Sequence, residues 1–345
     1  MTSQLTDFLS QIQLGAKQNH RNMTMYCLIS ASEAPVDFLT LDNALASEAI
    51  SITEITESGS VPELNVINKS SHKILMLDGE ELVGAKQNRV LNTTILLGPK
   101  SETAIPVSCV EQGRWSYRSE RFSSQSRSMS AHLRKRKSET VNLNLRQNGN
   151  FRSNQSVVWD EIEDKYRRMA SDPSPTMAMA DLYESYREAA AAYQSSFRPI
   201  TNQAGIIVFI DGKIAGIEIL YKFSAFRENH AKIVNSYVMD ALESVDLNTR
   251  NNHQSLRARA ANILESARSS QVKVRKSVSL GNDLRLESEK LSGSGLEFED
   301  HILQLTFFLL KIALSLIPRT KCDGLQPGEN CAESYNRPDY EIRDS

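Results

Sequence analysis

The chain is expected to be an α+β protein, with a β-rich, sandwich-like N-terminal lobe followed by a lobe that mixes helices with β-hairpins. Three observations predict this. Short runs of period-two alternation fill the first third. Asp-Gly pairs sit between apolar runs at Asp78-Gly79 and Asp211-Gly212, a strong hairpin signal because both turn residues take positive φ. Amphipathic stripes at helical spacing begin only at Val158.

In chain order, Ala49–Ile55 alternates, with Ile50 and Ile52 on one face and Ser51 and Thr53 on the other. Leu64–Ile67 is a second short strand. Lys73–Ala85 is a hairpin turning at Asp78-Gly79, and Val90–Leu97 and Thr103–Val110 continue the pattern across a turn at Pro99-Lys100. Spacing of this kind suggests a sandwich or partial barrel. Tyr117–Ser156 breaks the pattern: nine basic residues face two acidic ones in a Ser- and Asn-rich stretch, which reads first as a solvated loop and second as a phosphate clamp.

Helices follow. Val158, Trp159, Ile162, Tyr166 and Met169 form one stripe. Ser174-Pro175 looks like a helix start, and Met179, Leu182, Tyr183, Tyr186, Ala190 and Tyr193 form the next stripe. These are packing faces. Gly205–Leu220 is a hairpin turning at Asp211-Gly212. Helices are expected near 227–243 and 256–268, and β structure at Val272–Ser279, Asp283–Glu287 and Gly295–Phe307. The apolar run Ile302–Ile317 contains Gln304 and Lys311 and is short for a membrane span; it is expected to be a core strand followed by a short helix. The polar tail Pro318–Ser345 is expected to be loose.

The composition is that of an ordinary globular protein, 40% hydrophobic and 24% charged. A net charge of -2 gives no overall pull toward nucleic acid or anionic membrane. Met1–Leu14 lacks a basic start before an apolar core, so no secretion signal is expected. The four cysteines form no CxxC pair and show no metal spacing, which fits a reducing, cytoplasmic setting. The six histidines do not cluster, and no GxSxG, HExxH, Walker or Rossmann fingerprint is present. Cys109, in an apolar strand with no adjacent base, is expected to be an inert buried thiol.

The densest chemistry is Leu77–Arg89, with Glu80, Glu81, Lys86, Gln87, Asn88 and Arg89 around one hairpin arm. Asn is disfavoured in strands, so Asn88 implies a turn, a bulge or a ligand. Ser108–Trp115 then sets Glu111, Arg114 and Trp115 at a strand end. Arginine offers a planar fork for phosphate, and tryptophan a stacking face. Glu80, Glu81 and Glu111 are of the type that binds Mg²⁺, though no spacing compels it. The alternative is an internal ion-pair network that closes one end of a sandwich.

These segments carry a family resemblance. Asp37–Leu45 (Asp37-Phe38-Leu39-Thr40-Leu41-Asp42-Asn43-Ala44-Leu45), Leu77–Arg89, Ile105–Trp115, Ser116–Phe122, Ser174-Pro175-Thr176 and Ser279–Glu287 resemble the ARG and Rhodanese-Phosphatase-superfamily-associated Protein domain. The resemblance implies one domain over 37–308, with a β-rich lobe to about 115, the basic segment 116–156 and a mixed lobe over 157–308. An N-terminal segment 1–36 precedes it, and a short helix and tail follow at 309–345. One departure is Leu303-Gln304-Leu305, where a valine-histidine-leucine pattern is expected; His301 lies upstream. The family is largely uncharacterised. Its name records association with ADP-ribosylglycohydrolases and with rhodanese- and phosphatase-like proteins, which implies by analogy a role near ADP-ribose or NAD metabolism.

The leading expectation is therefore a nucleotide or ADP-ribose-type ligand. Lys86, Arg89, Arg114, Arg118 and Arg121 would hold its phosphates. Trp115 would stack, Gln87 and Asn88 would read polar edges, and Glu80 or Glu111 would serve as acid or base if there is turnover. A non-catalytic module that recognises a protein partner in a modification or defence system is the second expectation. RNA binding through Arg118–Arg152 is the weakest.

Overall fold

The computed structural model describes residues 2–56, 62–244 and 255–310. The chain runs α1 Thr2–Ser10, β1 Gln13–His20, β2 Met23–Ile29, β3 Leu39–Thr40, α2 Leu41–Ala46, β4 Ile50–Glu54, β5 Glu63–Asn68, β6 Ile74–Met76, β7 Glu80–Gly84, β8 Arg89–Leu91, β9 Ile95–Leu97, β10 Ser101–Cys109 and β11 Phe122–Ser128. It continues through α3 Ala131–Gln147, α4 Gln155–Arg168, α5 Met179–Ser185, α6 Arg187–Ser196, β12 Gln203–Ile210, β13 Lys213–Leu220, α7 Phe223–Glu243, α8 Leu256–Arg268, β14 Gln271–Lys276, β15 Asn282–Glu287, β16 Leu291–Phe298 and β17 His301–Leu309. The fold is α+β and rich in strands.

Three sheets organise these strands. The largest has the order β1-β2-β12-β13-β17-β16-β15-β14, the second β11-β7-β8-β10-β5-β4, and the third is the small β3-β6-β9. Helix α7 packs across β12 and β13. Central strand β12 is accordingly a near-continuous apolar run rather than an alternating one. The β12–β13 hairpin turns at Asp211 (φ 50) and Gly212 (φ 69), as its sequence predicts. In β4, Ile50 and Ile52 face inward as expected.

The second sheet curls strongly. Glu54 of β4 and Arg89 of β8 lie three strand spacings apart in sheet order, roughly 14 Å if the sheet were flat. Yet their side chains approach to 3.8 Å, and edge strands β11 and β4 also contact each other. The residues facing into the curl are apolar for most of its length: Ile52, Val66, Leu82, Leu91, Ile105 and Val107.

Several local expectations change. Asp78-Gly79 is not a hairpin turn. Only Gly79 has positive φ (80), β6 pairs with β3 and β9, and β7 pairs with β8 and β11. The pair marks a corner between two sheets, where the buried Asp78 carboxylate meets Lys137. Val90–Leu97 splits into β8 and β9, because Thr93 and Thr94 turn to Asp283 and Gln304. Gly295–Phe307 is likewise two strands, joined through Glu299 and Asp300 at positive φ.

The basic stretch is not a loop. It holds β11 and the helix α3, capped by Ser130. Arg134 and Lys137 sit on the buried face of α3 among Leu133, Val141 and Leu145, which hides the apolar stripe from a composition reading. Ser174-Pro175 begins a turn rather than a helix: Met177 N bonds Ser174 O, and α5 starts only at Met179. Residues 1–36 supply α1 and the strands β1 and β2 of the largest sheet. The core strand expected from Ile302 is β17. The short helix after it and the tail, with Cys322 and Cys331, lie outside the described residues.

Candidate functional site

The second sheet becomes polar at one end. There β7 stops at Gly84 (φ 134) and the chain passes Ala85 (φ 40) before returning as β8 at Arg89. Residues 85–88 are thus the real turn of this hairpin. Asn88 serves it by accepting from Gly84 N at 3.3 Å through Oδ1, the turn role that its presence implied. Positive φ at alanine is uncommon and strained. Here it is held by Arg118 N and Arg114 Nη1, both of which donate to the Ala85 carbonyl.

Beside this turn, the chain leaving β10 places Glu111 and Arg114. Glu111 is fully buried and accepts from Arg114 Nε (2.9 Å), Arg114 Nη2 (2.7 Å) and Asn88 N (3.1 Å). Burial alone would raise its pKa. The Arg114 bonds and charge, with the Asn88 amide, outweigh burial and hold the carboxyl below its usual range. The remaining Arg114 donors go to the Ala85 and Ser116 carbonyls, both at 2.7 Å. Glu111 and Arg114 thus form a closed bidentate pair that ties the two loops together. Gly113 is needed for close approach: its amide bonds Thr176 O at 2.9 Å, and a Cβ would lie 2.8 Å from Pro175 O.

The outer rim is different. Trp115 and Tyr117 are 49% and 53% exposed. Between them lies Lys86, whose Nζ is 5.3 Å from one ring centroid and 5.1 Å from the other. Lys86 is itself only 9% exposed, and no carboxylate among the described residues is in ion-pair range of it. Arg118 is largely exposed, 3.9 Å from Glu111. Below the rim, Arg89 is fully buried and donates to Gln87 Oε1 at 2.9 Å. Gln87 in turn donates to Glu111 O at 2.9 Å. Cys109 is buried and its thiol accordingly pushed up, as expected of an inert group.

The fold therefore brings together Lys86, Gln87, Asn88, Arg89, Glu111, Arg114, Trp115 and Arg118. Arg121 lies exposed on the chain leading into β11. Glu80 stands apart, at the opposite end of β7 from the turn, where it is buried against Lys232 and accepts from Leu77 N at 2.6 Å. It belongs to a buried charge network that sequence reasoning missed: Glu80–Lys232–Asp42, Asp78–Lys137 and Glu218–Arg134. Asp78, Glu80, Arg134, Glu218 and Lys232 of this network line a cavity of about 20 Å³, roughly the size of one water. Gln304 bonds Thr94 and Thr306 beside it.

Sequence reasoning also missed Glu54, although a carboxylate stands there where the alternation of Ile50 and Ile52 calls for an apolar residue. A larger cavity, about 330 Å³, lies beneath α1 and is lined by Phe8, Tyr221, Glu297 and His301 among others. Its buried carboxylate Glu297 is already bonded to Asn282 and to Asp300 N, so the polar end of the second sheet remains the better candidate. No group of three or more His, Cys, Asp or Glu among the described residues converges as metal ligands do.

This combination defines an α+β protein with a polar, aromatic-rimmed site at one end of a curled sheet. The chain belongs to the ARG and Rhodanese-Phosphatase-superfamily-associated Protein domain family, whose model matches residues 11–308. The match begins before Asp37 and takes in β1 and β2. No curated protein and no solved structure matches the chain. No helix among the described residues is long and apolar enough to cross a membrane.

Proposed function

We propose that this rim binds a nucleotide or ADP-ribose/NAD-type phosphate-bearing ligand, in the cytoplasm. One observation carries the reading: Lys86, a lysine only 9% exposed overall, holds its ammonium between two exposed aromatic rings without a carboxylate partner among the described residues. A buried cation is costly unless paired, and an anionic group arriving beside Trp115 and Tyr117 supplies that pair. Arg118 adds a second cation at the rim, and the rings offer stacking faces to a base. Arg114 and Glu111 act as the frame, because their bonding capacity is spent on each other and on backbone carbonyls.

Calorimetry with ADP-ribose, NAD and AMP tests this, on the wild type and on Lys86→Ala and Trp115→Ala. Each variant should lose about tenfold or more in affinity, the scale of a charge-assisted hydrogen bond or a stacked ring. No binding by the wild type, or undiminished binding by Lys86→Ala, overturns the proposal.

A second reading has its own support. Exposed Trp, Tyr and Arg side by side are the residue types that dominate protein–protein hot spots, so Trp115, Tyr117 and Arg118 equally suit a partner protein. The RNA reading loses ground, since Arg134, Arg136 and Lys137 of the basic stretch are engaged in internal ion pairs.

A further inference from the structure

Beneath Trp115 lies a pair of charged groups that the outer rim does not use. The Arg89 guanidinium carbon is 5.9 Å from the Trp115 ring centroid, and the side chain is fully buried. Its Nη1 is bonded to Gln87, but Nε and Nη2 have no hydrogen-bond partner. Across from it, Glu54 Oε1 is 3.8 Å from Arg89 Nη2, and neither Glu54 oxygen accepts a hydrogen bond. Buried polar groups in folded proteins are nearly all paired, and leaving them unpaired is costly. Here two unpaired donors and two unpaired acceptors, from strands far apart in the sheet, meet at one point under a half-exposed ring.

The chemistry of that pair is selective. Its charges cancel, so an incoming phosphate or carboxylate gains from Arg89 but is repelled by Glu54, and it brings no proton for the Glu54 oxygens. An ammonium group has the opposite fault. A pair of neighbouring hydroxyls satisfies both sides, accepting from Arg89 and donating to Glu54. We propose that Glu54 and Arg89 form an inner subsite for the vicinal diol of a pentose, with Trp115 as a roof that moves aside to admit it. This rests on the reading that Lys86 and Arg118 hold the phosphate outside, and it names the sugar as the group that enters.

Calorimetry with inorganic phosphate, ribose 5-phosphate and 2-deoxyribose 5-phosphate tests the subsite on the wild type and on Glu54→Gln. The wild type should prefer ribose 5-phosphate over its deoxy analogue about tenfold, the order of a hydrogen bond to a charged group. Glu54→Gln should bring that preference close to one and leave inorganic phosphate binding no weaker, because the change removes an acceptor and a repelling charge and not a phosphate contact. A wild type that binds all three probes alike, or a Glu54→Gln protein that keeps the preference, overturns the subsite while the phosphate rim stands. If none of the three binds while AMP does, the subsite falls and the rim stands; if AMP fails as well, both proposals fall.

A second readout does not depend on how well the Glu54 variant folds. The chain has two tryptophans, so Trp159→Phe leaves Trp115 as the sole indole. Ribose 5-phosphate should shift its emission to the red and increase acrylamide quenching, while inorganic phosphate should do neither. An unchanged spectrum at saturating ribose 5-phosphate overturns the moving roof.

Discussion

Replacing Glu81 by glutamine should stabilise the protein, and the gain should grow with pH. Glu81 is fully buried on β7, and neither carboxylate oxygen has a hydrogen-bond partner. Burial pushes its pKa up to about 7; Arg127, 3.9 Å away, offsets only part of this, and Glu111 and Asp181 add repulsion. An acid whose folded pKa is raised from 4.5 to about 7 binds protons more tightly in the folded chain. Its stabilising effect is complete below pH 4.5 and disappears as pH rises through 7. Above that, ionisation opposes folding by about 3 kcal/mol, from 1.36 kcal/mol per pKa unit.

Glutamine keeps the shape and never ionises. Urea titrations of both proteins should therefore give similar stabilities near pH 5. At pH 8.5 the variant should lead by about 2–3 kcal/mol, equivalent to roughly 5 °C in Tm for a domain of this size. If the lead does not widen between the two pH values, the carboxylate is well paired in the fold and this reasoning is wrong.

Other expected outcomes follow from the frame of the site. Arg114→Ala strands Glu111 as a buried, unpaired carboxylate and should lower stability by about 3–5 kcal/mol in denaturant unfolding; Arg114→Lys should recover little, since a lysine cannot make the bidentate pair. Gly113→Ala places a methyl against Pro175 and Thr176; it should destabilise by about 1–3 kcal/mol and alter Trp115 fluorescence, whereas Gly149→Ala, with open space around its Cβ but φ at 70, should leave that fluorescence unchanged.

Much of this molecule is legible from local pattern. The Asp211-Gly212 hairpin and the stripe Val158–Met169 report neighbours close in the chain, and period and turn chemistry suffice for those; the Met179–Tyr193 stripe is helical as its period predicts, but it breaks at Tyr186 into α5 and α6. The stretch 84–89 was equally visible as dense chemistry. Its turn was misplaced because Asp78-Gly79 has turn chemistry without turn partners: a sheet corner and a hairpin both call for glycine at positive φ, and only strand pairing separates them. The charge run 134–137 misled for a related reason. Four successive cations read as solvated, yet helix periodicity turns Arg134 and Lys137 inward to carboxylates that come from β13 and from the Asp78 corner.

The sequence by itself determined the family, the α+β class and the segments that hold the chemistry, because each depends on residues adjacent in the chain or spaced by one helical or strand period. The second sheet decided the rest. Its curl carries Glu54 across three strand spacings to Arg89, while the β7–β8 turn sets Lys86 between Trp115 and Tyr117 and the length of β7 keeps Glu80 at the far end from that turn. These meetings arise from strand pairing and core packing between residues distant in sequence, which local periodicity does not encode.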